Sequence, residues 1–134
     1  MGLVAQEDRR RVETTAAEIE EEPGGLVVVR IKPGVDLVLE RMREILDARF
    51  ALVPRPAPVL VDARHCRSMS REAQELSAGA EASPYTARLA ILMDGPVSVV
   101  LGNFFMVFVK PPYPTRLFRD ETAAREWLGE RAPA

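Results

Sequence analysis

The stretch VLVDARHCRSMSREAQELSAG, residues 59–79, decides how this chain is read. VLV shows no polar alternation before Asp62 ends the run, the pattern of a short strand covered on both faces, as strands of a parallel sheet are. After a charged loop, Ser68 and Ser70 stand where a side-chain oxygen can accept from the free amides of a helix start. REAQELSAGAEA then continues with small residues at Ala73, Ser77 and Ala80, a face that permits close approach to a sheet. The unit is strand, loop and helix.

The flanking sequence extends that unit. Upstream, LVVVRI (26–31) is β-branched and apolar and is stopped by Pro33 and Gly34. EEPGG (21–25) reads as a turn that pairs this strand with a short one near 17–21, although 6–22 also suits an amphipathic helix. From about 36 to 50, Leu39, Met42, Ile45, Leu46 and Phe50 recur at helical spacing, opposite Glu40, Arg41, Arg43, Glu44 and Asp47. LVPRPAP (52–58) cannot prolong that helix and connects it to VLVD. Downstream, ARLAILM (87–93) is a second apolar strand. PVSVVLGNFFMVFV (96–109) reads as a helix begun by Pro96, with its β-branched content keeping a strand as the alternative. KPPYP (110–114) is a rigid extended loop, TRLF (115–118) a last strand, and Asp120 caps a terminal helix with the stripe Ala123, Ala124, Trp127 and Leu128. This order predicts an α/β fold: a mixed, mostly parallel five-stranded sheet with about four helices packed on it. The domain is expected over 15–131, after a flexible segment 1–14 and before a frayed tail 132–134.

Composition narrows the function. The 134 residues suit one domain, and 47% hydrophobic with 28% charged residues is ordinary for a globular chain. With 18 basic against 20 acidic side chains there is no electrostatic source for nucleic-acid binding. Cys66 has no internal disulfide partner, and with His65 as the lone histidine the ligand count of a zinc site is not met, so neither metal nor cofactor is expected. MGLVAQEDRRR at the start carries charges where a secretory signal has an apolar run, and no stretch reaches the ~20 apolar residues of a membrane span. A cytoplasmic protein is expected.

The stretch 59–79 resembles the strand, loop and helix start of the STAS (sulfate transporter and anti-sigma-factor antagonist) domains of bacterial sporulation regulators. IKPG (31–34), SREA (70–73), GNFF (102–105), KPPYPTRLF (110–118) and EWL (126–128) are similar to recurring features of small uncharacterised SpoIIAA-like proteins, so the likeness spans 17–131. It implies a SpoIIAA-like fold and a non-enzymatic, protein-contacting or regulatory role. In the antagonists a serine in a DSSG motif at the helix start is phosphorylated to break a complex. Here those four positions fall on Ser70, Arg71, Glu72 and Ala73, so the acceptor is replaced by an arginine and the usual switch is absent.

Several constellations invite chemistry. Asp62, His65 and Ser68 or Ser70 have the residue types of a catalytic triad, but the close spacing does not make them converge and no GxSxG elbow surrounds a serine. Asp62 and Asp94 both end strands without a second acid nearby. Ser68, Ser70 and Arg71 form a candidate anion or phosphorylation loop, with capping the plainer role for the serines. As a helix, 96–109 is apolar on two sides, so Val99, Phe105, Met106 and Val109 are a candidate interface for a homodimer or protein partner, or the roof over a small apolar ligand. Asn103, Lys110, Tyr113 and Arg116 are a candidate recognition rim on the rigid loop.

Overall fold

The computed structural model describes residues 10–95 and 110–129. Strands β1 (Arg10–Glu13), β2 (Ala17–Glu21) and β3 (Val27–Ile31) form an antiparallel meander. The EEPGG turn works because Gly24 and Gly25 take φ of 109° and 96°, a region side-chain-bearing residues avoid, and Glu22 N–H closes it on Leu26 O at 2.8 Å. Then come β4 (Asp36–Leu37), α1 (Leu39–Leu52), β5 (Ala57–Asp62), β6 (Ser68–Met69), α2 (Arg71–Ser77), a 3-10 turn at Ser83–Tyr85, β7 (Thr86–Leu92), β8 (Thr115–Phe118) and α3 (Glu121–Gly129). The main sheet runs β1-β2-β3-β5-β7-β8, parallel from β3 onward.

Side chains alternate across the sheet, and this divides the core. Val27, Val29, Ile31, Val59 and Leu89 face one side with Met42, Ile45 and Leu46 of α1 and Ala73 of α2. Val28, Leu60, Ala90 and Leu92 face the other, against Ala124 and Leu128 of α3. VLVD is therefore covered on both faces, as its lack of alternation requires.

The architecture is the expected mixed, mostly parallel α/β fold, with corrections in its parts. The sheet has six strands rather than five, because residues 10–13, read as part of a flexible lead, pair with β2 through Val12↔Ile19. Asp36 and Leu37 do not begin the helix; they pair with Ser68 and Met69 as a second, two-stranded parallel sheet, and α1 starts at Leu39. Helix α2 ends at Ser77 rather than near Ala82, since Gly79 N–H turns back to Leu76 O and Pro84 sits in the 3-10 turn. Three α-helices lie among the described residues; the fourth expected one, over 96–109, lies outside them. No described helix is long and apolar enough to cross a membrane.

Candidate functional site

Where α1 and α2 cover the sheet, the core is not filled. A cavity of about 100 Å³ lies there, walled by sheet residues such as Val29, Val59 and Ile91 and by Met42, Ile45 and Leu46 of α1. Protein interiors are close-packed, with few voids larger than a water molecule, so a space of this size at the centre of a small domain is the feature to explain. Among the described residues its wall is apolar except for Cys66 and Ser68 at one side and polar groups from four segments: Arg49 of α1, Gln74 and Ser77 of α2, Thr86 at the start of β7, and Tyr113 just before β8.

The period of α1 puts Arg49 there. It follows Met42, Ile45 and Leu46 on the same stripe and is only 6% exposed. Its Nη2 donates to Thr86 Oγ1 at 3.0 Å, and that hydroxyl donates to Ala82 O at 2.8 Å. Arg49 Nε has no partner. Burial pulls its pKa down to about 10, so the guanidinium remains charged at neutral pH. Tyr113 O–H donates to Ser77 O at 2.8 Å, and burial pushes its pKa up. Gln74 is 5% exposed; its Nε2 donates to Met69 O at 3.3 Å, while Oε1 has no partner. Cys66 also borders the cavity, as a free thiol with its pKa raised by burial and its Sγ–H directed at Ser68 O, 3.2 Å away.

The loop at 62–71 is organised by ion pairs. Asp62 accepts from Arg30 at 2.9 Å and from Arg64 at 2.8 Å; burial works against its charge, yet the arginines hold it down to about 2. Arg67 pairs with Asp36 at 2.6 Å, and Ser68 Oγ–H donates to the same carboxylate at 2.6 Å. Arg71 pairs with Glu75 at 3.1 Å along the helix. Ser70 Oγ accepts from Ala73 N–H at 3.1 Å as the cap of α2. The loop's three arginines thus already hold carboxylates. The triad types are not assembled either: Asp62 is taken up by arginines, Ser68 by Asp36, and the exposed His65 ring bonds to none of the described residues. Among the described residues no three His, Cys, Asp or Glu side chains cluster as a metal would require.

Of the proposed rim, Lys110 and Arg116 are exposed, the latter with its guanidinium 5.3 Å from the centre of the Phe118 ring. Tyr113 departs from that reading: it is 8% exposed and belongs to the cavity, because its phenol reaches across to α2. Val99, Asn103, Phe105, Met106 and Val109 lie outside the described residues. Arg49 and Gln74 were passed over in the sequence. A signal for Arg49 was present, a charge at the position where the stripe of Met42, Ile45 and Leu46 calls for an apolar residue.

Comparison with known proteins agrees with this architecture. The crystal structure of an uncharacterized protein of the DUF3478 family with a SpoIIAA-like fold, from Shewanella loihica PV-4, is similar over 90% of this chain and 91% of that chain, with a TM-score of 0.55 and 18% identity. No curated protein matches the sequence. A family model described as a domain of unknown function, DUF7793, matches residues 19–131. With most of its length inside that model, the chain belongs to the DUF7793 family and has a SpoIIAA-like fold.

Proposed function

We propose that this domain is a non-enzymatic binding module that holds a small, largely apolar ligand between its sheet and helices α1 and α2. The observation that carries the reading is the cavity of about 100 Å³. Apolar walls with a few converging polar groups are the usual make-up of a small-molecule site. An apolar occupant of such a space removes its apolar wall from water, which is favourable in proportion to the area buried. Xenon, which enters dry apolar cavities, is the direct probe. Its NMR resonance is expected to shift in the presence of the wild type and not of a folded Val59→Phe variant, whose ring occupies the space. An unshifted resonance with the wild type would remove this reading.

A protein-contact role is the second reading, supported by Val38 and Leu39, which are 40% and 42% exposed beside the β4–β6 pair. Leu37 and Met69 of that pair also border the cavity, so an occupant and a contact surface would share one element. Contact with a second copy of the chain is expected to give a dimer by light scattering that Val38→Asp converts to a folded monomer. A wild type that stays monomeric at every concentration would exclude self-association.

A further inference from the structure

The arginines of this molecule are distributed unevenly with respect to their counter-charges. Arg30, Arg43, Arg55, Arg64, Arg67 and Arg125 each hold a carboxylate. Arg49, the one arginine in the buried class among the described residues, forms no ion pair with any of them. An uncompensated buried charge is among the costliest features a core can contain, and it persists where something else supplies the compensation. Among the described residues nothing nearby does so. Tyr113 is a neutral phenol with its proton on Ser77 O, and Thr86 offers a hydroxyl dipole. The Phe50 ring, centred 5.0 Å from Arg49 Cζ, offers only its quadrupole. The connection from β7 to β8 over 96–109 contains no acidic residue.

Resting on the cavity reading, we propose that the ligand is a small hydrophobic acid whose carboxylate pairs with Arg49 while its apolar body fills the space against Ile45, Leu46, Val59 and Ile91. Among the described residues Arg49 Nε–H and Nη1 have no acceptor, and beside Nε–H, Nη2 has a second hydrogen not committed to Thr86. That edge of the guanidinium matches the two oxygens of a planar carboxylate. A phosphate dianion would need further donors, and the hydroxyls of Tyr113 and Thr86 are committed to the carbonyls of Ser77 and Ala82. Gln74 Oε1, an acceptor without a partner, suits a ligand hydroxyl or a water beside the acid. Volume sets the size. A dry cavity of about 150 Å³ takes benzene, so a space of about 100 Å³ suits a short or branched body.

The test compares 3-methylbutanoate with its neutral counterpart 3-methylbutan-1-ol, on the full chain at neutral pH, by calorimetry and by the NMR signal of the Arg49 Nε–H. The acid is expected to bind the wild type at least about tenfold more tightly than the alcohol, as a charge-assisted pair predicts, and to shift the Nε–H signal. Arg49→Met is expected to lose the acid and keep the alcohol. Equal binding of acid and alcohol to the wild type, or binding of the alcohol alone, would overturn the acid inference and leave the cavity reading standing. Binding of neither would overturn both. Because the wild-type comparison decides by itself, the proposal does not depend on the variant folding.

Discussion

Arg49 stands at a position that the helix period reserves for an apolar side chain, and its charge works against the ligand-free fold. Its removal leaves no orphan behind, since Thr86 keeps its bond to Ala82 O. Arg49→Met is therefore expected to make the ligand-free protein more stable by about 1–2 kcal/mol, as replacing buried charge by apolar volume often does, measured by urea denaturation. A clear loss of stability instead would identify Arg49 as a structural group. Ser70 shows the opposite relation between sequence and role. Its use as a helix cap was legible because capping needs only local geometry, a hydroxyl three residues before the amide it receives.

At the scale of elements, α3 is tied to the sheet both by apolar contact and by charge. Arg30 of β3 bridges Asp62 of β5 and Glu121 of α3, and Arg125 joins Glu121 to Glu22 at the end of the first hairpin. Asp62 is the most buried acid of this group, and its folded pKa of about 2 lies below the ordinary value of 3.8. A depressed carboxylate contributes stability above its unfolded pKa and loses it as pH falls through the folded one, so the window runs from about pH 4 down to about 2. The contribution is at most about 2 kcal/mol. Thermal midpoints are expected to fall across that window and to fall less steeply in Asp62→Asn. Parallel slopes for the two proteins would show that other carboxylates govern the acid transition. Asp36 is also held near 2, by Arg67 and then Ser68, but its exposure leaves it little weight in the balance.

At the scale of the whole molecule, the long elements were legible and the short ones were not. LVVVRI, VLVD and ARLAILM announce buried strands by composition alone, and the Gly and Pro punctuation between them sets the α/β order. β1 and the β4–β6 pair escaped such reading. RRVE at 10–13 has one apolar residue, and β4 and β6 have two residues each, so these segments are strands only because a partner offers its edge. The same distinction holds for the site. The sequence by itself determined the period of α1, the caps, the turn at EEPGG and the face each strand residue takes, because these depend on neighbours a few positions away. Only the tertiary structure decided that Arg49, Gln74, Thr86 and Tyr113 border one unfilled space, since their elements meet through chain reversals that no local pattern encodes. A cavity is a mismatch of volume between distant side chains, and volume is settled when helices and sheet close on one another.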